Sequence, residues 1–169
     1  WFKSSLGYVQ FADYILFLKK LNFSMKILLV EPYYTGSHRQ WAEGLQNFSK
    51  HEFDSKCGSD MPESVYHNVV KVATQLQFLR NYIGKPIKIN SGYRSPEHNK
   101  RIGGVSKSQH LLGKAADIVV KGMSTVELHK AIETLISEGN MLQGGLGLYD
   151  SFVHYDIRGR KARWDYRGR

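Results

Sequence analysis

A chain of 169 residues with 41% hydrophobic and 23% charged content is long enough to close one hydrophobic core and too apolar to be intrinsically disordered. Its single cysteine, Cys57, excludes an internal disulfide framework and a cysteine-rich structural zinc site, so any metal must be held by histidine and carboxylate. The formal charge of +9 invites a nucleic-acid reading. Much of it sits in Arg158, Arg160, Lys161, Arg163, Arg167 and Arg169, interleaved with Asp156, Trp164, Asp165 and Tyr166 and without a helical basic stripe. A polyanionic partner of another kind, or a plain solvated surface, suits that pattern equally well.

No run approaches the ~18 apolar residues that span a bilayer. The longest, Tyr14-Ile15-Leu16-Phe17-Leu18, is bounded by Asp13 and Lys19-Lys20. Those lysines follow the apolar run instead of preceding it, so no secretory signal is expected.

Residues 1–24 are aromatic-rich without clean periodicity. Lys26-Ile27-Leu28-Leu29-Val30 reads as a short buried strand that enters the loop Glu31-Pro32-Tyr33-Tyr34-Thr35-Gly36-Ser37-His38. The stretch 25–45 weakly resembles the opening strand and loop of a nucleotide-sugar glycosyltransferase, but is far too short to make one. Residues 1–44 are therefore expected to be an N-terminal extension of unassigned role, with residues 45–169 as the functional domain.

Beyond residue 45 the pattern becomes coherent. Ser49 with Glu52 three residues later predicts a short capped helical turn. Pro62-Glu63 opens an amphipathic helix with Val65, Val69, Val72, Leu76 and Leu79 on one stripe, stopped by Gly84-Lys85-Pro86. Ile87–Asn90 alternates as a strand, and 115–120 reads as another. Ser124 caps a second helix through Val126, Leu128, Ile132, Leu135 and Ile136, ended by Gly139. Segments 144–149 and 152–157 are expected to pair as strands. Helices and strands in this uneven order predict an α+β fold.

The chemistry concentrates in Ser108-Gln109-His110-Leu111-Leu112-Gly113-Lys114-Ala115-Ala116-Asp117. An imidazole and a carboxylate seven residues apart can converge on one ion if Gly113 makes a tight turn between them, and small residues at 115 and 116 admit close packing beside the site. Taken alone, such a pair is more often ordinary surface polarity. His154 stands on an alternating strand and offers a third ligand. Two histidines, an aspartate and one open position make a catalytic and not a structural zinc arrangement. His38, His51, His67, His98 and His129 share no ligand spacing with this set.

The whole series, SGYRSPEHN, then SQHLLGKAAD, then GGLGLYDSFVHYDIRG, resembles the M15 peptidase family over roughly residues 46–164. That family includes zinc D-Ala-D-Ala carboxypeptidases, D-Ala-D-Ala dipeptidases and murein endopeptidases. The resemblance implies a small, mostly antiparallel sheet with flanking helices, as in hedgehog and the D-Ala-D-Ala peptidases. It implies zinc held by His110, Asp117 and His154, with Arg94 beside the metal holding substrate; Ser108, near a ligand, and Tyr93, in a substrate groove, are further candidates from the residues themselves. The implied function is hydrolysis of D-amino-acid peptide bonds in peptidoglycan stem peptides, by a monomer acting on the cell wall in the periplasm, outside the cell, or as a phage-type endolysin.

One position departs from the family. Many relatives carry Glu or Asp three residues before the last histidine as general base, and Ser151 stands there. Asp156 and Asp150 are the alternatives. Residues two apart on a strand share a face, which aligns Asp156 with His154 as base or as ligand-orienting acid, whereas Asp150 adjoins the turn. Tyr93, Tyr149, Tyr155 and Trp164 are candidate groove aromatics. The missing acid also keeps open a zinc-containing wall-binding module without catalysis, and the charge a nucleic-acid binder with steep salt dependence.

Overall fold

The computed structural model describes residues 47–168, together with two short strands at 2–4 and 7–9. These are β1 (Phe2–Ser4) and β2 (Gly7–Val9), an antiparallel pair within a compact unit formed by Trp1–Tyr34. The second unit spans Thr35–Arg169. The expected strand at 26–30, the loop after it and the glycosyltransferase-like stretch lie outside the described residues.

In the second unit, local signals and structure agree closely. Helix α1 (Lys50–Phe53) carries the Ser49–Glu52 capping box, and buried Phe53 anchors it. Helix α2 (Glu63–Ile83) buries Val69, Val72, Leu76 and Leu79 and half-buries Val65. It ends where Gly84 adopts φ 65° and its N–H bonds Arg80 O at 2.9 Å, the left-handed stop that glycine makes at little cost. Helix α4 (Thr125–Ser137) opens on a reciprocal capping box: the Ser124 hydroxyl accepts from Glu127 N at 3.2 Å, and the Glu127 carboxylate accepts from Ser124 N at 2.7 Å. Its buried stripe is Leu128, Ala131, Ile132, Leu135 and Ile136. Val126 was expected on that stripe but is 48% exposed. Two residues from Leu128 is about 200° around a helix, so the two cannot share a face. Helix α3 (Pro96–Arg101), capped by Ser95, is not among the elements expected from the sequence. Among the described residues, no helix is long and apolar enough to cross a membrane.

Strands β3 (Ile87–Ser91), β4 (Ala115–Val120), β5 (Gly145–Leu148), β6 (Val153–Asp156) and β7 (Ala162–Asp165) form one sheet in the order β3-β4-β6-β5-β7. The expectation of a mostly antiparallel sheet needs correction: the sheet is mixed, because β5 and β7 run parallel. β6 and β7 meet the same end of β5, Asp156 and Ala162 both lying opposite Gly145. The chain therefore steps over β5 at one end of the sheet and returns antiparallel to β6. Residues 157–161 suffice for that step, since two strand spacings are only about 10 Å.

Period-two alternation divides the sheet into two faces. Ile87, Ile89, Ala116, Ile118, Val120, Leu146, Leu148, Val153 and Tyr155 belong to the core shared with α2 and α4. The opposite face carries Asp117, Gly147 and His154, cross-strand neighbours on three adjacent strands.

Candidate metal centre

Three donor groups converge on that second face. Asp117 lies on β4 directly opposite His154 on β6. His110 comes from a 3₁₀ turn (Gln109–Leu112) whose exit requires Gly113 at φ 63°. The turn brings the His110 ring over the strand carrying Asp117, as the spacing predicted. His110, Asp117 and His154 are buried, and among the described residues they form the one His/Cys/Asp/Glu group spaced to hold a metal ion.

Each donor is aimed by a different partner. His110 donates through Nδ1 to the Gly92 carbonyl at 2.6 Å, which leaves Nε2 as the lone pair toward the centre. His154 donates through Nε2 to Asp156 Oδ2 at 3.0 Å, which leaves Nδ1. Asp117 Oδ2 is ion-paired with Arg94 Nη2, which leaves Oδ1. These three inward atoms lie 3.2 Å (His110 Nε2 to Asp117 Oδ1), 3.2 Å (His110 Nε2 to His154 Nδ1) and 2.8 Å (His154 Nδ1 to Asp117 Oδ1) apart. Ligands about 2.0–2.1 Å from a tetrahedral ion stand roughly 3.3 Å from one another, so a small expansion accommodates zinc. Two imidazoles and one carboxylate also match zinc's donor preferences, and the carbonyl and carboxylates behind them are the outer partners such sites use.

The electrostatics agree. Burial alone would raise the Asp117 carboxyl, but the His110 and His154 rings beside it outweigh burial and hold the group well below the usual carboxylate range. Asp156 is likewise depressed: burial opposes, and His154, Arg158 and the Gly145 amide prevail.

The remaining predicted residues fall at varied distances from the centre. Arg94 is against it: Nε donates to Ser91 Oγ at 2.8 Å while Nη2 braces Asp117. A one-residue bulge between Ile89 and Ser91 puts Ser91 opposite Asp117, an example of a bulge re-aiming a side chain beside a site. Ser108 caps the 3₁₀ turn, its hydroxyl accepting from His110 N at 3.3 Å, and so supports His110. Tyr93, 5% exposed, belongs to the core, and so does fully buried Tyr155, whose hydroxyl donates to Leu142 O at 2.8 Å. The strand parity that sends His154 outward sends Tyr155 inward, away from the site face.

Trp164 and Tyr149 do lie on the site face. The Trp164 ring is 5.2 Å from that of His154, and its Nε1 donates to the Tyr149 hydroxyl at 3.0 Å. Burial and the charge of Asp117 push the Tyr149 phenol up, keeping it a protonated donor. Asp150 is exposed, accepts from Gly168 N at 2.9 Å, and lines a cleft of about 320 Å³ with Ser151 and the first turn of α4.

Sequence reasoning missed two features. Arg158, read only as part of a basic run, grips Asp156, and the His-x-Asp-x-Arg spacing was its signal. The alternation Gly145-Leu146-Gly147-Leu148 was the other: it strips one face of β5 bare beneath the site. A Cβ at Gly147 would stand 2.3 Å from Trp164 Nε1.

On the sheet of this α+β fold, two histidines and one aspartate, all buried, stand close enough to hold one metal ion. A peptidase M15 family model matches residues 43–156, and the chain belongs to that family. It is 42% identical over 52 residues to the zinc D-Ala-D-Ala carboxypeptidase of Streptomyces albus G, covering 30% of this chain and 20% of that protein. It is 34% identical over 99 residues to the peptidoglycan L,D-endopeptidase MepK of Escherichia coli, covering 53% of this chain and 50% of that protein. The chain thus spans half or less of the length of these curated relatives.

Proposed function

We propose that this chain is a zinc-dependent peptidase that hydrolyses D-amino-acid peptide bonds in peptidoglycan stem peptides, as a carboxypeptidase or an endopeptidase. The observation that carries the proposal is the convergence of His110 Nε2, Asp117 Oδ1 and His154 Nδ1 on one point, each aimed by its own partner. The names of the two relatives support the wall as substrate class. When bound, zinc supplies Lewis acidity toward a carbonyl and activates water for attack.

The chain's own groups supply the rest. Gly92 O and Asp156 hold the imidazoles in the tautomers that face inward. Arg94 braces Asp117 with one amino group and has a second with which to meet a substrate carboxylate or developing oxyanion. Tyr149, oriented by Trp164, offers a phenolic proton at the same face. Asp156 acts as the orienting acid of the two roles expected for it, because His154, Arg158 and Gly145 already occupy its oxygens. Asp150 is the other candidate base.

The test is digestion of purified peptidoglycan with and without chelator, with products identified by mass. Release of D-alanine or stem-peptide fragments, abolished by chelator and restored by zinc, is expected. No fragment from zinc-loaded protein would overturn the proposal. A second reading, a zinc-holding wall-binding module, is favoured by one observation: exposed Ser151 stands where an acid would serve as base. It predicts zinc-loaded protein that sediments with the wall and releases nothing.

A further inference from the structure

The carboxylate of Asp156 is wholly buried yet receives far more than the one bond it exchanges with His154. Arg158 Nε lies 2.8 Å from Oδ1 and 3.0 Å from Oδ2, and Nη2 lies 2.5 Å from Oδ2. The backbone amides of Arg158 and Gly145 add bonds to Oδ1 at 3.1 and 3.0 Å. The same guanidinium sits 5.4 Å from the Trp164 ring, which also lies beside His154. Arg158 therefore touches both groups that flank the His154 imidazole, the acid at its edge and the indole beside it. It touches none of the three inward donor atoms.

This arrangement needs space that only glycine provides. A Cβ at Gly145 would fall 2.3 Å from Asp156 Oδ2 and 2.9 Å from Arg158 Nε. Position 145 is thus bare where the Arg158–Asp156 pair lies across β5. A buried carboxylate lacking a counter-charge is strongly disfavoured, and a two-point guanidinium grip fixes the plane of the carboxylate as well as its charge.

We infer that Arg158 is a positioning residue for the metal centre: gripping Asp156 and lying against Trp164, it fixes the His154 ring so that Nδ1 faces Asp117 and His110. The inference rests on the reading of His110, Asp117 and His154 as metal ligands. It assigns a function to one arginine of the basic C-terminal run that surface charge does not explain. A lysine at 158 keeps the charge but cannot reproduce the paired Nε and Nη2 contacts, so it should restore only part of the effect.

The experiment compares the full chain with Arg158→Gln and Arg158→Lys. Zinc affinity is measured by competition with a chromophoric chelator, the visible absorption of the cobalt-substituted proteins is recorded, and the urea midpoint of the metal-free proteins serves as a fold control. The expected result is a roughly 10–100-fold loss of zinc affinity in Arg158→Gln, an altered cobalt spectrum, and an intermediate affinity for Arg158→Lys. A purely structural role would lower the urea midpoint and leave the cobalt spectrum of the folded protein unchanged. Wild-type affinity and spectrum in Arg158→Gln would overturn the inference. If Arg158→Gln does not fold, the same two readouts on Arg158→Lys decide it, unchanged values overturning it and weakened binding supporting it. Failure of the unmodified chain to bind zinc would instead overturn the ligand reading, and the inference with it.

Discussion

His154 and Asp156, two residues apart on β6, share a face and meet edge to edge, with Nε2 of the imidazole 3.0 Å from Oδ2 of the carboxylate. That contact commits one ring nitrogen to donation and turns the other, Nδ1, toward Asp117 and His110. Asp156→Asn keeps the shape but must offer an amide where the native side chain has an acceptor for both His154 and Arg158. Zinc affinity is expected to fall by about 10–100-fold, the usual effect of removing an outer partner of a ligand. Asp150→Asn should leave zinc affinity unchanged. Chelator competition on both variants, followed by wall digestion at saturating zinc, measures this. Loss of turnover with intact affinity in Asp150→Asn would put the base in the turn.

His110→Ala and Asp117→Ala should each lose stoichiometric zinc, because two remaining ligands seldom compete with water for the ion. Elemental analysis after gel filtration in metal-free buffer gives the answer. A full equivalent of zinc in either variant would refute the assignment.

The metal-free protein should lose stability in acid. The folded-state carboxyls of Asp117 and Asp156 are held below their ordinary range, burial being outweighed by the adjacent histidines and, at Asp156, by Arg158. A carboxyl depressed on folding contributes stability that is fully present above its unfolded value of about 4 and is lost as pH falls toward the folded value. Urea midpoints should therefore decline as pH falls below about 4, and the decline should be shallower in Asp156→Asn. An identical decline in that variant would show that Asp156 contributes nothing to it.

Gly113→Ala and Gly159→Ala form a matched pair. Both glycines have positive φ, 63° and 81°, so each alanine meets the left-handed penalty of roughly 1–2 kcal/mol. At 113 the new Cβ also stands 2.7 Å from Val69 Cγ2 and 3.0 Å from Val65 O, whereas nothing lies within 4 Å at 159. Gly113→Ala should destabilise more than Gly159→Ala in urea unfolding, and it alone should weaken zinc binding, because the turn it strains carries His110.

Residues 45–169 expressed alone should fold and bind one zinc, since the five-stranded sheet, the helices packed on it and the three proposed ligands lie beyond that boundary. Thermal unfolding and metal analysis of the truncated chain are the checks. Aggregation or loss of zinc would mean that part of residues 1–44 completes the domain.

Whatever depends on near neighbours along the chain is legible in the residues alone. The capping boxes at Ser49 and Ser124, the α2 stripe, the turn at Gly113 and the shared face of His154 and Asp156 all follow from short-range geometry. The pairing of His110 and Asp117 was legible for the same reason: a glycine turn joins residues only seven apart. Tertiary structure decided whatever depends on which strands become neighbours. The parallel placement of β7 beside β5 is such a case, and it brings Trp164 over Gly147 and beside His154. The inward burial of Tyr93, and the role of Arg94 as a brace for Asp117 across 23 residues of sequence, are others. The choice of Asp156 as orienting acid belongs here too. Alternation put Asp156 on the right face, but only the fold places the Gly145 amide of the neighbouring strand and the Arg158 side chain onto its oxygens.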